Sequence, residues 1–507
     1  MAAPWEAIAT KKRTEQHSRI PQAWLLPTPL PATPSDVRSL PQTSGILTPR
    51  ELTITADHDA TALAALIRDR EYTAAEVALA FCKRAALAHQ LTACLTEILF
   101  DAALARAHAL DAALRRTGRP VGPLHGVPVS LKDSFRIRGR DAGVGIAGLA
   151  FAPARADSAL VDVLVAAGAV LYCKTNVPQG LMALDSANWV FGRVRNPRSA
   201  AVTAGGSSGG EGALIAMRGS VLGVGTDVGG SIRIPAMCNG LYGIKPSVGR
   251  VPYAGQQGNG APGSGAMGLM ASAGPIAGSL RDCELFLKVV AEARPWERDP
   301  DVVYGFWEEQ GKVEQKPLIG VVREDGLIKP LPPVSKVLEE TVQALRRAGY
   351  EVVELDTPLL KTCQSLANKF FGIDGNNYVL DLLFSTSEPL IPWLASRLRR
   401  KTPVSASALV DLHARKTALE TEMLKIWTDK KGRRVDAFIC PVAPHPVPPI
   451  DRWNGTSYTS SFVLLDYPAG TIPVRDFVED DLEGEVEGEV LNGWDKINRE
   501  LCKFVPS

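Results

Sequence analysis

Three short segments of this chain set a lysine and several serines among dense glycine, a combination able to support chemistry at a hydroxyl. The first runs from Gly122 through His125, Val127 and Val129 to Lys132 and Asp133. The second is Gly205, Gly206, Ser207, Ser208, Gly209, Gly210, Glu211 and Gly212. The third is Gly225, Thr226, Asp227, Val228, Gly229, Gly230, Ser231, Ile232, Arg233, Ile234 and Pro235. Taken singly, a strand-end lysine is usually a solvated charge and a Gly/Ser loop is usually a turn. Together they differ, because the glycines bracket serines just ahead of predicted helices, where free backbone N–H groups converge and stabilise negative charge. A phosphate cradle would use the same physics. Here, however, Val228 stands where a dinucleotide fingerprint starting at Gly223 needs its third glycine, and no G-x-x-x-x-G-K-[ST] occurs.

The elements that must position these segments are legible from pattern. Val127–Leu131, Ala169–Tyr172 and Val221–Val224 read as buried strands, with helices at 159–167 and 210–217 between them. Leu318–Val322, a helix at 334–348 and Glu351–Leu355 repeat the theme. Such alternation predicts an α/β fold, a large mixed β-sheet sandwiched between α-helices in a single large domain, with all these strands in one continuous sheet. From Thr61 to Thr117 apolar residues recur at helical spacing, Leu95, Ile98 and Leu99 among them, and Thr73 with Glu76 forms a capping-box start. Three amphipathic helices are expected there. Residues 1–55, Pro-rich from Ile20 to Pro49, read as an arm lying on the domain; 56–475 read as the catalytic domain and 476–507 as a divergent acidic tail.

Bulk composition excludes several classes of function. Lys+Arg 56 against Asp+Glu 55 leaves a formal charge of +1, so no global field draws in nucleic acid or an anionic membrane. No apolar run approaches the ~18 residues of a membrane span. The eight cysteines are scattered, without C-x-x-C or zinc spacing, which fits reduced thiols; with no secretory signal, a cytoplasmic location is expected. Neither a metal nor an organic cofactor is expected, and assembly is left between a monomer and a homodimer.

The stretch from Gly205 to Arg250, including Cys238–Ser247, with Lys174-Thr175-Asn176 and Asn196-Pro197, resembles the amidase-signature family over about residues 50–475. The Pro-rich start, Val321–Gly326 and Asp466–Ala469 are most similar to fungal acetamidase-type general amidases. The resemblance implies Ser231 as nucleophile, Ser207 as a bridging serine after a cis peptide bond, and Lys132 as base. The backbone N–H groups of Val228, Gly229, Gly230 and Ser231 would then form an oxyanion hole. Lysine is a base only when neutral, and the apolar Val127, Val129 and Leu131 beside Lys132 offer the burial that lowers its ordinary pKa of ~10.4. By the same resemblance Leu181 and Met182 face the substrate, Leu181 offering a carbonyl, while Met182 and Trp189 line either the acyl pocket or the core. Asp227 and Arg233 read as an ion pair holding the loop, and Ser208 as an orienting neighbour. The implied substrate is a small-molecule amide, primary and small or aromatic, split through an acyl-enzyme.

Other readings stay open. Gly205–Gly209 also satisfies G-x-S-x-G, so a serine esterase using Ser207, Asp436 and His445 fits the chain order, although prolines 444, 446, 448 and 449 stiffen the His445 loop. A glutaminase-type subunit of an amidotransferase shares the same triad, as would a pathway-specific amidase of secondary metabolism. A non-catalytic descendant is a further reading. The family's G-x-P-V-G-L-Q-type motif after Ile472-Pro473-Val474 is absent, which predicts either an unpaired sheet edge or a tail that replaces the lost strand.

Overall fold

A computed structural model of the chain describes residues 3–27, 36–308, 315–453 and 455–501. The middle of the Pro-rich stretch (28–35), Cys502 and the terminal segment from Phe504 lie outside the described residues. In chain order the strands are β1 (Leu95–Ile98), β2 (Pro128–Lys132), β3 (Val170–Thr175), β4 (Ala187–Asn188), β5 (Gly192–Arg193) and β6 (Leu222–Asp227). They continue with β7 (Tyr242–Lys245), β8 (Ser272–Ala277), β9 (Ile319–Val321), β10 (Val352–Glu354), β11 (Ala437–Ile439) and β12 (Ala469–Thr471). Seven of them form one mixed sheet in the order β1-β3-β2-β6-β8-β7-β12. The neighbouring pairs β3–β2 and β2–β6 are parallel, and the other neighbours in the sheet pair antiparallel. Every residue of β2 and β6 is buried, as expected of parallel strands covered on both faces. This is the single-domain α/β architecture with a large mixed sheet that the sequence predicts.

The helices that cover the sheet start where the sequence places caps. Helix Ala74–Thr92 begins at Thr73, whose hydroxyl accepts from Glu76 N while the Glu76 carboxylate accepts from Thr73 N at 2.8 Å, a capping box. It stops at Ala93, which adopts a left-handed conformation with φ 55°. The next four residues, Leu95–Ile98, were expected to be helical and are instead β1, pairing antiparallel with β3 at the sheet's edge. All four are buried, and a short run buried on both faces carries no periodicity that separates strand from helix.

One further expectation changes. The strands around 319 and 352 form as predicted but do not join the large sheet; with β11 they make a separate parallel sheet ordered β10-β9-β11. The N-terminal arm contains a helix, Pro4–Ser18, that docks on the domain. Its Lys12 amine lies 2.6 Å from Glu97 and 2.7 Å from Asp141, all three buried, and Gln16 donates to the carbonyls of Leu95 and Thr96. The acidic tail adds no strand beyond β12 among the described residues. Instead, helix Gly493–Leu501 turns its polar side inward: Asp495 accepts from Lys329 N, and Asn498 donates to Lys329 O.

The helix Gly209–Ala216 packs end-on against the carboxyl end of β3, where Gly210 N donates to Asn176 O at 3.0 Å. A Cβ on Gly210 would lie 2.4 Å from Asn176 N and 2.6 Å from Cys94 O, both backbone atoms that cannot swing aside. Gly210→Ala is therefore expected to destabilise the fold by about 1–3 kcal/mol through overpacking. Urea unfolding measures this, and an unchanged midpoint would refute the close approach.

Candidate active site

Strand β2 delivers Lys132 to the middle of the sheet's carboxyl edge, and its side chain is completely buried. The amine donates to Ser207 Oγ at 2.7 Å, to Thr226 Oγ1 at 2.7 Å and to Thr226 O at 3.3 Å. Three oxygens thus satisfy its three donors, and none belongs to a carboxylate. Burial pushes its pKa down to about 7, against the opposing pull of Asp227 and Glu211.

Ser207 follows a cis peptide bond from Gly206. Gly206 lies against the loop 183–185, where a Cβ would come within 2.5 Å of Ala183 O. The Ser186 hydroxyl ties the turn together, donating to Gly205 O and accepting from Gly209 N. Ser208 is also buried, yet its hydroxyl makes no hydrogen bond among the described residues.

The loop after β6 holds the second serine. Ser231 is 8% exposed against 3% for Ser207, and its hydroxyl bonds to none of the described residues. Asp227 anchors this loop. It accepts from Gly230 N at 2.7 Å, from Ile232 N at 3.2 Å, and from both Nε and Nη2 of Arg233 at 3.0 Å. Although burial raises a carboxyl, the Arg233 guanidinium outweighs it and holds Asp227 down at about 2. The Gly230 N–H, one of the four donors the sequence expectation assigned to an oxyanion hole, is already donated to the Asp227 carboxylate. Thr459, from the helix Ser457–Leu464, donates to Gly229 O at 2.6 Å and so fixes the neighbouring peptide plane.

Leu181 and Met182 sit in a tight turn in which Gly180 and Leu181 both have positive φ, and Gly180 N donates to Val144 O. Their side chains, with Trp189, pack against the apolar cluster of Val379, Leu380 and Leu383. Trp189 also stacks on Trp5 of the N-terminal helix, 5.8 Å between ring centroids. Glu388 fastens this corner: one oxygen accepts from Ala147 N and the other from Gln179 Nε2, both at 2.7 Å.

The esterase constellation is not assembled. His445 is buried against Trp453, bonds Pro446 O through Nδ1, and is pushed down to about 4 by burial. Asp436 lies at the start of β11, where its carboxylate accepts from Leu318 N. Neither touches Ser207. Sequence reasoning assigned no role to Thr226, Thr459, Glu211 or Glu388. Thr226 and Glu211 were at least within the Gly-rich segments, whereas Thr459 and Glu388 stand in ordinary-looking stretches far along the chain.

A family model described as Amidase matches residues 76–482. The chain is 39% identical to the acetamidase of Emericella nidulans, over 94% of this chain and 87% of that protein. It is 37% identical to the acetamidase of Aspergillus oryzae, over 93% and 88%. Among solved structures, fatty acid amide hydrolase superposes with a TM-score of 0.88 at 30% identity, covering 98% of this chain and 88% of the other. With the family's sequence pattern running through most of the chain and its fold reproduced around the buried lysine, the protein belongs to the amidase family.

Proposed function

We propose that the chain hydrolyses carboxylic amides through an acyl-enzyme, with Ser231 as nucleophile, Ser207 as proton relay and Lys132 as base. The observation that carries this reading is the buried Lys132 amine, held 2.7 Å from Ser207 Oγ and lowered to a pKa of about 7. An amine in that condition is neutral in a useful fraction of molecules near neutral pH and can accept a proton. Ser207 gives its proton to Lys132 as it takes one from Ser231, because a hydroxyl donates and accepts at once. Ser231 Oγ then bonds to the amide carbon, and the carbonyl oxygen takes the negative charge.

The N–H groups of Val228, Gly229 and Ser231 support that oxyanion, each such donor lowering the barrier by roughly 3 kcal/mol in hydrolases. Collapse breaks the C–N bond, and the proton held by Lys132 returns through Ser207 to the departing nitrogen. Water then attacks the ester carbon, delivering its proton along the same route, and Ser231 is released with the carboxylic acid. The Leu181 carbonyl orients the substrate N–H, and Met182 packs behind it. Asp227 and Arg233 hold the loop rigid; the unpartnered Ser208 is given no part in the transfer. The acetamidase names of relatives at 39% and 37% identity favour a small primary amide.

Ammonia release over a panel of primary amides, with matched esters, is the direct test. Ser231→Ala and Lys132→Ala are each expected to lower kcat/KM by at least about 10³-fold; near-normal turnover by either variant would exclude the assigned roles. Cleavage of esters with no turnover of any primary amide would exclude the substrate class.

The pH profile tests the base independently. A lysine whose pKa is lowered to about 7 is the free base above that pH and is lost as base below it. The acid limb of kcat/KM is therefore expected to fall by about tenfold per pH unit below neutrality. A profile flat down to pH ~5 contradicts a neutral-lysine mechanism.

A further inference from the structure

Glu211 is a completely buried carboxyl that the proposed chemistry leaves unused. It belongs to the first turn of the helix Gly209–Ala216, immediately after the Ser207 loop. One oxygen accepts from Ser130 Oγ at 2.5 Å and the other from Thr175 Oγ1 at 2.8 Å. Both partners are neighbours of Lys132 in the ladder. Ser130 is two residues earlier on β2 and so shares its face, and Thr175 is its register partner on β3. The carboxyl therefore lies beneath the same face from which the Lys132 amine rises. Gly223 of β6 leaves the room for it, since a Cβ there would come within 2.0 Å of its oxygen.

We propose that Glu211 is a positioning residue for catalysis, the carboxyl whose charge sets how readily the Lys132 amine holds its proton. The proposal rests on Lys132 acting as the base. A buried carboxylate on the same face favours the ammonium, and an ammonium favours the carboxylate, so the charge of each acts on the other. Burial raises Glu211 to about 7, the same range as Lys132, with the Ser130 and Thr175 hydroxyls and the Lys132 charge pulling the other way.

Other charges around the pair are already committed. Asp227 on β6 is tied to Arg233 of the following helix, with Lys245 of β7 also near it. Lys174 and Asp133 face each other at 3.4 Å, Lys174 lying at the alternate position of β3. Tyr172, Cys173 and Cys94 feel the Glu211 charge but are pushed up by burial, and Tyr253 beside Thr226 is pushed up to about 12, so all four stay neutral. Of the two carboxyls whose charge acts on Lys132 among the described residues, Asp227 is held low beside Arg233, and Glu211 is raised by burial into the range of the amine.

The experiment is the pH dependence of kcat/KM for a primary amide, measured on the full chain with Glu211→Gln, Thr175→Val and Lys132→Ala. Glutamine keeps the shape but cannot carry the negative charge, so the acid limb is expected to move to lower pH by about one unit. Thr175→Val removes a hydrogen bond that favours the carboxylate, so a smaller shift in the same direction is expected. A role confined to packing would lower the plateau or the unfolding midpoint without moving the limb. Limbs that coincide with wild type, while Lys132→Ala is inactive, overturn this inference alone. An active Lys132→Ala overturns it together with the assignment of the base. Should Glu211→Gln fail to fold, the Thr175→Val limb decides.

Discussion

Holding a primary amine fully buried is the demand around which the rest of this structure is arranged. Lowering Lys132 from the ordinary lysine range to about 7 corresponds to roughly 5 kcal/mol of preference for the neutral form. That preference exists because β2 is an interior strand of a sheet covered on both faces, with β3 and β6 as its parallel neighbours. A carboxylate in direct contact would cancel it, and the geometry avoids one. Ser207 and Thr226 take the amine's hydrogen bonds, while Asp227 is turned toward Arg233. The same low dielectric that makes the amine a base makes every remaining charge nearby count for more.

The loop after β6 meets a different demand, to hold a tight turn in one conformation. Asp227 accepts from Gly230 and Ile232 while paired with Arg233, which pins both ends of the turn. Thr459 fixes the Gly229 carbonyl from the far side. The helix that supplies it packs on Leu360–Phe370, in the part of the chain that also carries the small parallel sheet. That second half thus acts as a buttress for the first half's loop. In the reaction proposed above, a loop held in this way needs no reorganisation as charge develops.

Much of the large sheet was legible because each strand announces itself locally. Val129 and Leu131, Val170 and Tyr172, and Leu222 and Val224 sit in short apolar runs between glycine-rich turns, and Thr73 with Glu76 marks a helix start by chemistry alone. Leu95–Ile98 escaped because a fully buried strand and a buried helical turn share one composition. The helix Pro4–Ser18 escaped for another reason: its sequence is mostly polar, and its stability comes from Lys12 and Gln16 reaching groups about 80 to 130 positions away. Pairing partners are equally invisible from one segment, so the strands at 319 and 352 could be foreseen while their sheet could not.

The same division runs through the site. Sequence by itself marked which stretches to read for chemistry: three glycine-rich segments contain Lys132, Ser207 and Ser231, and their resemblance to a known family singled out those three residues. Only the tertiary structure decided which atoms each group meets. It tied the Gly230 N–H to Asp227, kept His445 and Asp436 apart from Ser207, and brought in Thr226, Thr459 and Glu211. Those contacts join residues 94, 230 and 81 positions apart. A hydrogen bond depends on fractions of an ångström in space, and a spacing along the chain carries no record of it until the sheet has paired and the helices have closed over it.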